Sequence, residues 1–345
     1  MSGTGVFDTK VLPADNDGIK LAADLLKDGQ VVAIPTETVY GLAASALDDD
    51  AVARIFDAKG RPQDNPLIVH IDRMEMLPQV ARAVPEYACK LADAFWPGPL
   101  TMVLPKAADV APRVCAGLDT VGVRLPAHAA ARAVIHAANL PLAAPSANLS
   151  GGPSPTTAAH VYTDLKGRVP LVLDGGYSPV GVESTVLSLA GAPTLLRPGF
   201  VTPAEIEAVL GVPVVLSDGI LAPPPEDLKP ASPGMKYRHY APAAEITLVV
   251  GDFAAFGALV AERAKAGPVA ALCFEGEEKQ LPVPAIAYGR AGDDASQAAG
   301  LFRALRAVDG LDIPTVYARM PGDSGVGLAV RNRLLRAAGF RVIKL

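Results

Sequence analysis

Short apolar runs of strand length, each closed by a loop containing polar residues, Gly or Pro, recur along this chain and constrain its fold more than any other feature. Runs at 31–34, 67–71, 101–104, 121–125, 142–144, 171–173 and 184–189 read as buried-type strands. Between them, residues 18–27, 51–58, 85–95, 129–138 and 203–210 place apolar side chains at helical spacing. Asp28-Gly29 stops the first of these helices. Asp48-Asp49-Asp50 supplies an N-cap and first-turn negative charge to the second, which carries Val52, Ile55 and Phe56 on one face and delivers Lys59-Gly60-Arg61 at its C-terminal end. The strands are too variously connected for a simple doubly wound sheet. The expected architecture is α/β, with one twisted, mixed open sheet and flanking helices.

From 213 to 243 the pattern breaks into a Pro-rich segment containing Pro223-Pro224-Pro225 and the run ASPGMKYRHYAP, which reads as a linker. Strands then resume at 245–250, 269–273, 285–288, 315–319 and 340–344, alternating with helices at 253–266, 295–308 and 326–338. That alternation predicts a smaller, parallel-rich, Rossmann-like three-layer α/β domain. No G-x-G-x-x-G follows a strand there, so dinucleotide binding is not expected. The expected organisation is a catalytic domain over 1–212, a linker over 213–243 and a C-terminal domain over 244–345.

With 345 residues, 50% hydrophobic and 19% charged, the chain can bury two cores. No apolar run is long enough to cross a bilayer, and the opening MSGTGVFDTKVLPADNDG has neither a basic n-region nor an apolar h-region. Cys89, Cys115 and Cys273 are isolated, with no C-x-x-C pair for zinc or redox work, so a reduced cytoplasmic setting is expected. A net charge of −5 argues against a protein that coats nucleic acid.

Several polar residues sit where strands end. The loop Pro35-Thr36-Glu37-Thr38-Val39-Tyr40-Gly41 follows a buried strand, a place where α/β sheets bind ligands. On spacing alone it reads first as a turn, with Tyr40 half-buried. Lys59-Gly60-Arg61-Pro62-Gln63-Asp64-Asn65-Pro66 gathers two cations about a glycine, as polyphosphate recognition requires; singly, such cations complement a helix dipole. A histidine placed like His70 is more often a partly buried, satisfied residue than a catalytic one. Arg124 ends an apolar strand and needs an anionic partner, either a substrate carboxylate or an internal Asp or Glu. Ser146, Asn148, Ser184 and Arg197 are further polar residues at strand ends. There is no G-x-S-x-G elbow and no Walker A loop.

In order along the chain, PTETVYGL, KGRPQDNPLIVHI, FWPGPLTMVL, DTVGVRLP, APSANLSG, ESTV, LLRPG and SPGMKYRHYAP resemble the threonylcarbamoyl-AMP synthase family in its long form, a YrdC-like catalytic domain joined to a C-terminal domain. The resemblance implies that L-threonine, bicarbonate and ATP give threonylcarbamoyl-AMP and pyrophosphate. A downstream transferase complex would then modify a tRNA adenosine beside the anticodon. It implies Thr38, His70, Arg124 and Ser184 for threonine, and Lys59, Arg61, Asn65, Thr120, Ser146, Asn148, Arg197, His239 and Tyr240 for ATP. Lys59 and Arg61 would stabilise charge during the reaction, with Mg²⁺ but no direct protein ligand to a metal. The linker would close over the site as a lid. Ala43 departs from relatives that carry Gly there. A carbamoyl-adenylate-forming carbamoyltransferase would share the fold, but such proteins carry zinc-finger cysteines; a non-enzymatic RNA-binding module is the other alternative.

Overall fold

In the computed structural model, which describes residues 7–223 and 240–345, eleven strands make the first sheet. They are β1 (Lys10–Pro13), β2 (Val32–Ile34), β3 (Gly41–Ser45), β4 (Ile68–His70), β5 (Leu100–Pro105), β6 (Thr120–Arg124), β7 (Leu142–Ala143), β8 (Leu171–Asp174), β9 (Thr185–Ser188), β10 (Thr194–Arg197) and β11 (Val215–Leu216). Their order is β1-β8-β2-β3-β7-β4-β6-β5-β9-β10-β11, with parallel and antiparallel pairs mixed. The expected mixed sheet is therefore present. Four strands were not anticipated: β1 on one edge, β3, which folds back on β2 as a hairpin, β10, which pairs antiparallel with β9, and β11 on the other edge. β11 extends the first sheet into the segment read as linker.

The helices of this part are α1 (Asn16–Lys27), α2 (Asp49–Lys59), α3 (Leu77–Val80), α4 (Glu86–Phe95), α5 (Pro112–Cys115), α6 (Ala129–Ala138), α7 (Ala158–Leu165) and α8 (Pro203–Leu210). Asp48 caps α2 as its sequence suggests, its carboxylate accepting from the Asp50 and Ala51 amides at 2.9 and 3.1 Å. Period-two alternation divides the sheet into two faces. Leu67, Val69, Leu100, Met102, Leu104, Val121 and Val123 enter the main, helix-covered core. Ile68, Val103 and Val186 form a separate small cluster on the opposite face. His70, Thr101 and Arg124 share that second face by the same alternation, and it carries the site.

The second sheet contains β12 (Glu245–Val250), β13 (Val269–Cys273), β14 (Ala285–Ala287), β15 (Thr315–Arg319) and β16 (Val342–Lys344), in the order β14-β13-β15-β12-β16. Every pair in it is parallel. α9 (Phe253–Ala264) packs Phe256 and Val260 on one face, while α10 (Asp294–Asp309) and α11 (Gly327–Ala337) cover the other. These are the three layers expected. β15 intervenes between β12 and β13, unlike the dinucleotide-binding order, in which the first two strands are neighbours.

The α10/α11 face also packs against the first domain, since Val39, Val182 and Tyr240 belong to its core cluster. Gly181 has φ +78°, and a Cβ there would lie 2.4 Å from the Ala299 Cα, so only glycine allows α10 this close. Arg306 on α10 pairs with Asp164 at 2.7 Å and donates to the Pro153 carbonyl at 2.6 Å. On α11, Asn332 and Arg336 donate to the Ile220 and Gly219 carbonyls at 2.7 and 2.8 Å. Among the described residues, no helix is long and apolar enough to cross a membrane.

Candidate active site

The β2–β3 hairpin loop forms one wall of a pocket on the second face of the first sheet. Thr36 Oγ1 donates to the Val39 carbonyl at 2.6 Å and accepts from the Thr38 and Val39 amides, which makes Thr36 the turn former of the loop. With that proton committed, Thr38 Oγ1 donates to Thr36 Oγ1 at 2.9 Å and accepts from Arg124 Nη1 at 2.8 Å. Tyr40 is fully buried rather than half-buried, with its hydroxyl donating to the Gly176 carbonyl at 2.6 Å. Thr38 therefore faces the pocket, while Thr36 and Tyr40 hold the loop.

Parallel pairing of β4 with β6 sets His70 beside Arg124. Arg124 Nε donates to the Gly98 carbonyl at 3.1 Å, and Nη2 lies 2.5 Å from Glu37 Oε1. The anion that Arg124 requires is thus supplied internally. Burial pushes the Glu37 carboxyl up, but opposing influences led by the Arg124 charge outweigh it and hold the pKa below the ordinary carboxylate value. Neither Glu37 oxygen nor Arg124 Nη2 makes a well-directed hydrogen bond. Burial, reinforced by Arg124, pushes His70 down to about 3, so its imidazole is neutral at physiological pH, and its buried Nδ1 has no partner. A neutral nitrogen, a guanidinium edge and the Thr38 hydroxyl thus converge at one end of the pocket.

The opposite wall comes from the β9–β10 pair. Arg197 donates from Nε to the Ser184 carbonyl at 3.1 Å and from Nη2 to Ser184 Oγ at 3.2 Å. Ser184 Oγ lies 2.7 Å from Thr101 Oγ1. Gly199 makes this wall possible, because a Cβ there would lie 2.2 Å from the Thr185 amide nitrogen. Arg61, Ser146, Glu183 and Tyr240 also line the pocket. Burial lowers Arg61 to about 10, with Arg197 adding to the effect, and it remains a cation. Three guanidinium groups, Arg61, Arg124 and Arg197, therefore face one pocket, a combination suited to carboxylate and phosphate.

Four of the expected site residues lie outside the lining. Lys59 is 2% exposed and donates to the Ser146 and Asn148 carbonyls, the second at 2.6 Å, so it ties α2 to the S-A-N loop. Burial and the Arg61 charge push its pKa well below that of an ordinary lysine. Asn148 accepts from Ser146 Oγ at 2.6 Å and donates to the Leu149 and Gly152 carbonyls at 2.7 and 2.9 Å, so it too organises the loop. Asn65 is buried behind Arg61, which reaches its carbonyl at 3.3 Å; its own Oδ1 has no partner. Thr120 faces the same side of β6 as Arg124, but four residues away, roughly 13 Å along a strand. His239 lies outside the described residues.

Glu37 and Glu183 were given no role by sequence reasoning. Each is the one carboxylate in its motif, PTETVYGL and ESTV, and the need of Arg124 for an anion was a signal toward the first. The pocket is lined at strand ends: His70, Arg124 and Arg197 are the last residues of β4, β6 and β10, and Thr38 and Ser146 lie in the loops after β2 and β7. It opens on an uncovered face, which the hairpin loop and the C-terminal domain close.

Comparison with known proteins agrees with this geometry. Residues 24–199 match the Sua5/YciO/YrdC family model, described as telomere recombination, and residues 201–339 match the model of the threonylcarbamoyl-AMP synthase C-terminal domain. A threonylcarbamoyl-AMP synthase of Bacillus subtilis is 47% identical over 342 residues, covering 97% of each chain. One from Pyrococcus abyssi is 46% identical, covering 95% of this chain and 96% of its own length. The crystal structure of P. abyssi Sua5 complexed with L-threonine superposes with a TM-score of 0.91 at 42% identity over 99% of both chains. The chain belongs to the long, two-domain Sua5 branch of the threonylcarbamoyl-AMP synthase family.

Proposed function

We propose that this protein converts L-threonine, bicarbonate and ATP into threonylcarbamoyl-AMP and pyrophosphate. One observation carries the reading: a single pocket has a carboxylate-type subsite (Arg124, neutral His70, Thr38) at one end and two further cations, Arg61 and Arg197, elsewhere on its wall. Threonine binds with its carboxylate toward Arg124 and its polar groups toward His70 and Ser184. Its amine adds to the carbon of bicarbonate with loss of water, giving a carbamate. A carbamate oxygen then forms a bond to the α-phosphorus of ATP as the bond from that phosphorus to the bridging oxygen breaks, and pyrophosphate leaves with the electron pair. Arg61 and Arg197 offset the phosphate charge, while Ser146 lines the nucleotide side.

Carbamates are labile, so the chemistry needs both partners held together and water excluded. Tyr240, the first described residue after 239, lines the pocket, and the Ala241 amide donates to the Gly151 carbonyl at 3.0 Å. Both contacts support a lid role for the end of the segment 213–243, between a catalytic domain (1–212) and a C-terminal domain (244–345); residues 224–239 of that segment lie outside the described residues. Lys59, Asn65 and Asn148 serve the nucleotide side by shaping the loop beneath it, and Thr120 and His239 complete the nucleotide-side assignment. Glu37 and Glu183 are both engaged with arginines, which supports Mg²⁺ arriving on the phosphates of ATP rather than on protein carboxylates. When bound, Mg²⁺ supplies charge neutralisation to those phosphates. The product passes to a separate cytoplasmic transferase complex that acts on tRNA adenosine.

Pyrophosphate release, measured with and without L-threonine and with and without bicarbonate, tests the reaction. Release that requires both co-substrates is expected. Release that ignores threonine removes this reading and favours a carbamoyl-adenylate or simple ATPase activity.

A further inference from the structure

The pocket-lining residue Glu183 has its partner in the other domain. Its carboxylate, 7% exposed, accepts from Ser154 Oγ and from Arg333 Nε of α11 at 2.8 Å. Arg333 is 0% exposed, which makes it a guanidinium wholly removed from water. Its Nη1 donates to the Pro198 carbonyl at 2.8 Å, and its Nη2 to the Glu183 carbonyl at 3.3 Å. Those two carbonyls belong to the residues immediately before Ser184 and immediately after Arg197. One side chain of the C-terminal domain therefore grips both strand ends that present Ser184 and Arg197 to the pocket.

Charge adds a second consequence. Burial pushes the Glu183 carboxyl up, and Arg333, then Arg197, pull it back below the ordinary carboxylate range. Glu183 is thus anionic and within the electrostatic reach of Arg197. Without Arg333, Arg197, the other cation that lowers Glu183, would be left to balance a buried carboxylate and would be drawn from a phosphate toward Glu183. We propose that Arg333 is a positioning residue for the nucleotide: by neutralising Glu183 it keeps Arg197 from being drawn onto that buried carboxylate, so the catalytic domain's phosphate subsite is incomplete without α11.

The inference rests on the proposed reaction, and the test separates the two. Full-length Arg333→Met, Arg333→Lys, Glu183→Gln and the double variant E183Q/R333M are compared with the unaltered chain for the KM of ATP and of threonine. Arg333→Met is expected to raise the KM for ATP about tenfold or more while changing that for threonine less than about threefold, the size of effect seen when a buried charge loses its partner. Arg333→Lys keeps the charge without the fork and falls between. Because the freed carboxylate causes the harm, E183Q/R333M is expected to return the KM for ATP to within about threefold of the unaltered chain; a merely structural loss of packing would not be rescued by a second deletion. Should Arg333→Met fail to fold, the double variant and Arg333→Lys carry the comparison. An unchanged KM for ATP in folded Arg333→Met, or a double variant as impaired for ATP as the single, overturns the proposal. Failure of the reaction itself appears as absent threonine-dependent pyrophosphate release in the unaltered chain, whereas failure of the inference appears only in the variants.

Discussion

Arg124 is shared between Thr38, Glu37 and the proposed threonine carboxylate, so its loss removes a substrate contact and strands a buried anion. Arg124→Ala is expected to raise the KM for threonine about ten- to a hundredfold, the equivalent of one charge-assisted hydrogen bond, with a smaller effect on ATP, as steady-state pyrophosphate release would report. The neighbouring His70 gives stability a pH dependence. Its folded pKa of about 3 lies below its ordinary value of 6.5, so between these values the unfolded chain binds a proton that the native site refuses. Stability therefore falls as pH drops from 6.5 toward 3, by on the order of 2 kcal/mol at pH 5. Glu37, depressed below 4.5, contributes stability above that value and loses it lower still, as pH falls through its folded pKa. Urea unfolding of His70→Asn is expected to show a flatter pH dependence between 7 and 5 than the unaltered chain. Arg124 was legible as a site candidate because a buried strand rarely carries such a group without a partner, whereas His70, which by position alone read as a satisfied histidine, entered the site only through the family resemblance. Lys59 was legible as a cation near the site, but its burial and direction were not: whether a helix-terminal lysine meets a ligand or a backbone carbonyl depends on a loop almost ninety residues away.

At the scale of elements, most buried strands and capped helices could be read from the sequence, and several short or edge elements could not. β3 has the sequence Gly-Leu-Ala-Ala-Ser, with little β-branching, and exists because its backbone pairs with β2 and β7. β11 has only two residues and is held by parallel pairing to β10. Neither has a periodic signal of its own, since tertiary pairing stabilises both. The β9–β10 wall depends on a small residue instead. Gly199→Ala would drive a methyl group into the Thr185 amide, displacing Ser184 and Arg197 together. The expected result is a loss of about 1 to 3 kcal/mol of stability and a rise in the KM of both threonine and ATP, measured by denaturation and by pyrophosphate release. Unchanged kinetics in a folded Gly199→Ala protein would separate this wall from catalysis.

Across the whole molecule, the two sheets and the break between them were visible as a change of pattern, whereas the face on which the site opens was not. The strand sequences do not say which side of a two-sided sheet is left without helices. That follows from packing: the second face of the first sheet is closed by the hairpin loop, Tyr240 and the α10/α11 layer. Gly181 and the Arg306–Asp164 pair fix this approach without lining the pocket themselves. Gly181→Val, with a strained backbone and a clash against α10, is expected to increase hydrogen exchange in α10 and to lower pyrophosphate release several-fold while both sheets stay folded. The central claim is that one pocket joins threonine, a one-carbon unit and the adenylyl group. Its most direct test is to incubate the full chain with ATP, L-threonine and carbon-labelled bicarbonate and to quantify the nucleotide product by mass spectrometry beside the pyrophosphate formed. The account predicts a labelled adenylate carrying threonine, formed one-for-one with pyrophosphate and absent when threonine is left out. An unlabelled adenylate, or pyrophosphate formed without any such product, would contradict it.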